Sequence, residues 1–151
     1  MKRVRVCLVH HADAVGPDVD SQRPLSERGF SQADQLADSA RERGVHPDVI
    51  WHSGKLRSRQ TAEPFLRACN PFADFRMVRG LRPDDPIEWM RDELAAESRE
   101  VLLVGHMPNI AGLARALAPA SAAFPLHGLV VLEKNEDSGW AELFRIAVDR
   151  D

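Results

Sequence analysis

Short apolar runs alternate along the chain with longer segments in which apolar residues recur at helical spacing. The runs at 4–9 and 100–104 are apolar on both faces, which is typical of strands buried in a parallel sheet. Shorter runs and turn residues predict four further strands, at 49–51, 75–78, 129–132 and 143–148. Helical spacing and helix-start residues predict four helices, at about 26–43 and 56–69, from Pro86 onward, and at 108–117.

This order of strand and helix, closed by a pair of strands, predicts an α/β fold with a mostly parallel sheet and an antiparallel edge. A length of 151 residues fits a single domain, 1–151. The net charge of −3 gives no reason to expect a nucleic-acid or membrane partner. The chain has neither a signal-peptide pattern nor an apolar run of roughly 18 residues, so we expect a cytoplasmic protein. Cys7 and Cys69 lie in apolar stretches and are expected to be buried thiols rather than a disulfide.

Two of the apolar runs end on histidine. The first is followed by His10 and His11, and the run at 100–104 is followed by Gly105 and His106. In open α/β sheets ligands bind outside the carboxyl ends of the strands, so these imidazoles are candidate site residues. The alternative is that each is a solvated or core histidine. Neighbours on a strand point to opposite faces, so His10 and His11 are poor joint ligands for one metal unless the chain turns between them.

A basic segment follows the predicted strand at 49–51 and begins the next helix. Lys55, Arg57 and Arg59 are crowded into this turn, where free N–H groups and the helix dipole favour anions. Guanidinium matches phosphate in bidentate geometry, so the segment is a candidate oxyanion clamp. The alternative is a solvated basic helix start.

Four short motifs, in this order and spacing, resemble those of the histidine phosphatase superfamily and, within it, the short SixA-type phosphohistidine phosphatases. They are His10-His11-Ala12-Asp13-Ala14, Arg23-Pro24-Leu25-Ser26-Glu27-Arg28-Gly29, the segment 53–62, and Val104-Gly105-His106-Met107-Pro108. The resemblance covers residues 4–148 and implies a three-layer α/β/α sandwich of the phosphoglycerate mutase type. It also implies a phosphatase that acts on a phosphohistidine-bearing protein or a small phosphorylated substrate.

The resemblance assigns roles at the matching positions. His11 matches the nucleophile that becomes a covalent phosphohistidine, Arg57 the arginine that holds the phosphate, and His106 a second histidine that donates to the same oxygens. Arg23 is expected to add to the phosphate pocket. A neutral imidazole is a competent nucleophile near pH 7, and phosphoryl transfer needs mainly positioning and charge stabilisation. No metal or cofactor is therefore expected.

The chain departs from the family pattern at the start of the first motif. The family has arginine at the position of His10 and glycine at that of Ala12, and a proline is usual at the position of Gly54. Histidine offers fewer donors than arginine, so His10 is expected to be a weaker phosphate-binding residue. This leaves a catalytically impaired phosphate-binding homologue, or a phosphomonoesterase for small molecules, as alternative functions.

A general acid is less clearly marked. Asp84 and Asp85 lie in a loop before a helix and are candidates to protonate a leaving group, although a solvated turn with a capping Asp is the alternative. Asp13 is similarly ambiguous. The remaining histidines, His46, His52 and His127, belong to no motif and are expected to be structural or exposed.

Overall fold

The structure is a computed structural model that describes residues 3–137 and 139–148. Within these ranges the predicted alternation of elements is confirmed. The six strands are β1 (Arg5–His10), β2 (Val49–His52), β3 (Asp74–Met77), β4 (Val101–Gly105), β5 (Leu129–Lys134) and β6 (Trp140–Ile146). The four helices are α1 (Glu27–Glu42), α2 (Leu56–Cys69), α3 (Ile87–Ala96) and α4 (Asn109–Leu117).

One mixed sheet contains all six strands, in the order β3-β2-β4-β1-β5-β6. The first four strands in this order pair in parallel, and β5 and β6 extend the sheet as an antiparallel edge. The carboxyl ends of β2, β4 and β1 therefore lie side by side at one edge of the sheet. Because β5 runs the other way, its amino end lies at that same edge.

Helices cover both faces of the sheet, which confirms the three-layer α/β/α sandwich. Alternation along β1 sends Val6 and Leu8 to the core shared with α3 and α4. Cys7 and Val9 point to the core shared with α1 and α2. Cys7 is a free, buried thiol, and so is the cysteine that ends α2, as the sequence predicted. No helix among the described residues is long and apolar enough to cross a membrane.

Two element boundaries differ from the predicted ones. β1 extends through His10, so this histidine is the last residue of the strand rather than the first residue after it. β6 begins at Trp140, three residues before the predicted start at 143, and ends at Ile146. The early part of β6 was missed because an edge strand exposes alternate polar residues and its register shifts at a bulge opposite Val131 and Leu132. The sequence also predicts a turn at 135–139 between the last two strands, and one of its residues, Ser138, lies outside the described residues.

The start of α1 packs closely on the loop that follows β1. Ser26 caps the helix, and its hydroxyl accepts the backbone N–H of Gly29 at 3.0 Å. A Cβ atom on Gly29 would lie 1.9 Å from the carbonyl oxygen of Asp13, so only glycine fits this approach. The Ser26 hydroxyl also donates to the Asp13 carboxylate at 2.7 Å. The glycine of this motif therefore allows the helix to hold the loop that carries the first histidines.

Candidate active site

Three neighbouring strands deliver polar side chains to the same edge of the sheet. His10 and His11 come from the end of β1, Ser53 from the end of β2, and His106 from the end of β4. The rings of His11 and His106 have centroids 5.0 Å apart. The structure thus brings together the residues of motifs that lie about a hundred positions apart in the chain.

The rings of His10 and His11 lie together rather than on opposite faces, because the chain turns between the two residues. Their ring centroids are only 4.5 Å apart, with the planes tilted by 49°. The strand ends at His10, and the chain then leaves the sheet, so the alternation of a strand no longer governs His11. Both rings face the same pocket.

The hydrogen bonds of His11 leave one ring nitrogen free to react. Its Nδ1 lies 2.7 Å from the carbonyl oxygen of Ala12, which can only accept, so we assign the ring proton to Nδ1. The lone pair is then on Nε2. Burial lowers the pKa of His11 to about 4; the bond to Ala12 opposes this shift and the nearby Arg57 charge adds to it. The free ring is therefore neutral at pH 7, which is the state a nucleophile requires.

Two buried polar atoms around His11 have no hydrogen-bond partner within the described ranges, namely Arg57 Nε and His106 Nδ1. His106 Nε2 lies 2.7 Å from the Ser53 hydroxyl, which also accepts the N–H of Lys55 at 3.3 Å. The buried Ser53 proton has this imidazole as its acceptor, so we assign the His106 proton to Nδ1. Both unpartnered atoms are thus N–H donors, and such donors are costly to bury unless an acceptor arrives.

The backbone around Arg57 is tied to the nucleophile loop. Thr61, one turn further along α2, donates its hydroxyl to the carbonyl of Arg57 at 2.8 Å and accepts the N–H of Ala12 at 3.0 Å. Burial lowers the pKa of Arg57, and the nearby Arg23 charge lowers it further. Burial likewise lowers the pKa of His106 to about 2, with His11 and Arg57 as further causes. The pocket is therefore rich in donors and cations and poor in acceptors.

Arg23, the other candidate phosphate-binding arginine, lies in the loop between β1 and α1. Its Nε donates to the carbonyl of Val15 at 3.0 Å, and its φ of 50° places it in the left-handed region. Its charge contributes to the lowered pKa of His11, after burial and Arg57. Its role in holding a phosphate stays a prediction.

The candidate general acids from the loop before α3 have other surroundings. The Asp85 carboxylate accepts the backbone N–H groups of Gly80 and Arg82, each at 3.0 Å, so it holds a turn. Asp84 is exposed. The role of these two carboxylates as acids stays a prediction.

His10 occupies the pocket as a neutral donor. Its Nδ1 accepts the backbone N–H of His127 at 2.9 Å, so the ring proton lies on Nε2. Burial, followed by the neighbouring His11 and His127, lowers the pKa of His10 to about 3. At pH 7 His10 can therefore donate one uncharged N–H to an anion. An arginine at this position would carry a positive charge and donate several N–H groups.

His127, which belongs to no motif and was expected to be structural or exposed, lies beside the histidines of the candidate site. Its ring stacks on His10, with centroids 5.0 Å apart and planes 12° apart, and its centroid is 6.0 Å from that of His11. Its Nδ1 lies 2.7 Å from the carbonyl oxygen of His11 and so carries a proton, while Nε2 lies 3.9 Å from Asp13 Oδ1. His127 reaches this place because β5 is antiparallel and starts at the edge where β1 and β4 end. The other two histidines outside the motifs fit the prediction: His46 is exposed, and His52 accepts the N–H of Gly54.

The three clustered histidines, His10, His11 and His127, also raise the question of a metal. One ring nitrogen from each lies within 4.8 Å of the others. The hydrogen bonds above leave free lone pairs on Nε2 of His11 and His127, but His10 has its lone pair engaged and its proton on Nε2. A metal needs three or four lone pairs, whereas an anion needs donors. The tautomers therefore fit an anion better than a metal ion.

Fold and candidate site together define an α/β protein in which an unprotonated imidazole nitrogen of His11 lies at the carboxyl ends of the parallel strands. The family model for the histidine phosphatase superfamily (branch 1) matches residues 10–89, and the chain belongs to this superfamily. The chain is 32% identical over 111 residues to an uncharacterized protein of Picosynechococcus sp. (strain ATCC 27264 / PCC 7002 / PR-6), a match that covers 71% of this chain and 67% of that protein.

Solved structures show the same fold. A protein histidine phosphatase SixA complexed with tungstate superposes with a TM-score of 0.85 at 21% identity, covering 95% of this chain and 97% of the other. A protein from Agrobacterium tumefaciens assigned as a SixA phosphohistidine phosphatase gives a TM-score of 0.81 at 30% identity, covering 97% and 99%. A phosphoglycerate mutase from Plasmodium falciparum gives 0.74 at 14% identity, covering 95% and 91%. The phosphoglycerate mutase-like fold predicted from the sequence is therefore confirmed.

The neutral histidines of the site make the folded state sensitive to acid. His10, His11 and His106 have lowered pKa values of about 3, 4 and 2 when folded, against about 6.5 when unfolded. The folded state is therefore most stable above pH 6.5. As the pH falls, these histidines take up protons in the unfolded chain but not in the folded one, so the free energy of unfolding decreases. We expect the free energy of unfolding, from urea titrations without phosphate, to fall by roughly 2–4 kcal/mol between pH 7.5 and pH 5.5.

A matched variant checks the origin of this slope. His10→Asn keeps an oxygen to accept the His127 N–H but removes one titrating ring, so its slope is expected to be about one third smaller. His46→Asn removes an exposed histidine and should leave the slope unchanged. A wild-type protein whose unfolding free energy is the same at both pH values would contradict the burial argument.

Proposed function

We propose that this chain is a phosphohistidine phosphatase, which hydrolyses protein-borne phosphate through a covalent phosphohistidine on His11 and requires no metal. The observation that carries the proposal is the free Nε2 of His11 beside two buried N–H groups, Arg57 Nε and His106 Nδ1, that lack acceptors. A phosphoryl group bound against His11 would supply those acceptors. The tungstate bound by SixA, a tetrahedral oxyanion like phosphate, supports the same use of the fold.

The residues suggest a two-step reaction. Arg57, His106 and Arg23 hold the phosphoryl oxygens, and His10 adds its Nε2–H. The His11 Nε2 lone pair attacks phosphorus while the bond to the substrate nitrogen breaks. Water then attacks phospho-His11, and the electron pair of the breaking P–N bond returns to Nε2. Fixed donors that meet the developing charge lower both barriers.

The connections around the site support a protein substrate. Only residues 53–55 link β2 to α2, and only 106–108 link β4 to α4, so no inserted segment caps these strand ends. A phosphate carried on the surface of a folded partner can approach such a site. The resemblance to the Agrobacterium tumefaciens SixA protein, at 30% identity over nearly the whole chain, favours the same substrate class.

The test is the loss of phosphate from a phosphohistidine-bearing phosphocarrier domain incubated with the protein. We expect catalytic turnover that a chelator leaves unchanged, and quenched reactions should contain acid-labile, alkali-stable phosphate on His11. A panel of small phosphomonoesters, run in parallel, separates a protein substrate from a metabolite. If the wild-type protein fails to dephosphorylate the phosphocarrier, the proposal is refuted.

One observation favours a second candidate, a phosphate-binding protein that no longer catalyses. His10 is neutral and has a single N–H available, whereas the family has a positively charged arginine with several N–H donors at this position. This candidate expects phosphate or vanadate to bind without covalent labelling of His11. The quenched reactions described above distinguish the two.

A further inference from the structure

We infer that His127 is a catalytic acid and base of this site: it protonates the leaving group during transfer to His11, and it deprotonates the water that hydrolyses phospho-His11. The inference rests on the proposed function. No motif assigns His127 this role, and the structure places its ring 6.0 Å from that of His11.

The hydrogen bonds leave one nitrogen of His127 for chemistry. Nδ1 is held by the carbonyl of His11 at 2.7 Å, so Nε2 is the nitrogen that can exchange a proton with substrate. The Asp13 carboxylate lies 3.9 Å from Nε2, where it can pair with a protonated ring. The side chain is 15% exposed, so a leaving group and a water molecule can reach it.

The other two candidate rings are already committed. His10 uses Nδ1 to accept the N–H of His127, and burial keeps it neutral. His106 is bound by Ser53 and buried at 1% exposure. Asp85 holds its own turn. Among the described imidazoles around His11, His127 combines a free Nε2, a nearby carboxylate and access to solvent.

The backbone of His127 is consistent with a functional constraint. Its φ is 57°, a left-handed conformation that non-glycine residues adopt rarely. Two hydrogen bonds hold it there, one from its N–H to His10 and one from its ring to His11. Strained residues of this kind persist where the surrounding structure fixes them, and they cluster at functional sites.

His127 gives up one proton in the first step and recovers one in the second. In the first, Nε2 of His11 bonds to phosphorus, the bond from phosphorus to the leaving atom breaks, and protonated His127 gives its Nε2 proton to that atom. In the second, a water oxygen bonds to phosphorus, the P–N bond breaks, and one water proton passes to Nε2 of His127. The protein ends as it began, with inorganic phosphate released.

The test compares leaving groups in a matched variant. In His127→Asn the amide N–H can replace Nδ1–H toward the His11 carbonyl, and asparagine tolerates the left-handed backbone. We compare kcat/KM for 4-nitrophenyl phosphate, whose leaving group needs no proton, with that for an alkyl phosphate, whose leaving group does. We expect the variant to lose about 10²–10⁴-fold on the alkyl phosphate and less than about tenfold on the aryl one. The exposed His46→Asn is the control.

Each outcome decides the inference. Equal losses on both substrates would mean that His127 only positions His10 and His11, and would overturn it. So would a wild-type protein that turns over the phosphocarrier or the aryl phosphate but not the alkyl phosphate, because a site with a positioned acid releases an alkoxide. A wild-type protein without activity on either ester or on the phosphocarrier refutes the proposed function itself.

Discussion

Replacing His11 with asparagine is expected to abolish phosphoryl transfer while leaving the anion pocket intact. The amide N–H of asparagine can take the place of Nδ1–H toward the carbonyl of Ala12, but nothing replaces the lone pair on Nε2. Because the nucleophile itself is removed, we expect turnover of a phosphohistidine substrate to fall on the order of 10⁴-fold or more. Initial rates with the phosphocarrier, together with quenched samples assayed for acid-labile phosphate, measure the change.

Binding measurements provide the control for this variant. Arg57 and His106 keep their unpartnered N–H groups in His11→Asn, so vanadate or phosphate should still bind with an affinity near that of the wild type. Turnover that survives in His11→Asn would show that another group is the nucleophile. Loss of both binding and turnover would point to a disrupted pocket, which thermal denaturation would reveal.

The sequence predicted the parts of the site that follow buried parallel strands. β1 and β4 are apolar on both faces and end directly on histidine, so their chemistry could be placed at one sheet edge without knowing the partners. The candidate oxyanion clamp before α2 was placed in the same way. After β2 and β4 a connection of three residues leaves the chain little freedom, and the local pattern determines where the side chain lies.

His127 could not be placed in this way. It lies in a segment, 118–128, that has no helical or strand period, and its contacts with His10 and His11 span more than a hundred residues of chain. A signal was nevertheless present. An antiparallel edge strand was predicted to begin at 129, and such a strand starts at the edge where parallel strands end. A histidine two residues before it therefore belongs at the same edge.

The tautomers were also beyond the reach of the sequence. The sequence shows His10 in place of arginine, but only the structure shows that its Nδ1 accepts a backbone N–H from a residue 117 positions away. That bond fixes the ring as a neutral Nε2–H donor. Compared with an arginine at this position, His10 therefore lacks one positive charge and several N–H donors.

Restoring the family residue with His10→Arg is therefore expected to raise kcat/KM for a phosphohistidine substrate. A charged hydrogen bond to the transferring phosphoryl group contributes about 1.5–3 kcal/mol, which corresponds to a rate increase of about 10- to 150-fold. The same substitution has a cost in the free protein. It places a second guanidinium close to Arg57 and removes the acceptor for the His127 N–H, so thermal stability without phosphate should fall.

Phosphate should largely restore that stability, because the bound anion offsets the repulsion between the two positively charged guanidinium groups. His10→Gln is the matched neutral control: it fills similar space and offers amide donors without charge, so its activity should not exceed that of the wild type. Steady-state kinetics and thermal denaturation with and without phosphate distinguish these effects. If His10→Arg does not raise kcat/KM although it binds phosphate and remains folded, the wild-type pocket already supplies the missing charge, with Arg23 and Lys55 as the nearest candidates. In that case the neutral His10 is a retuned part of a fully active site rather than a defect.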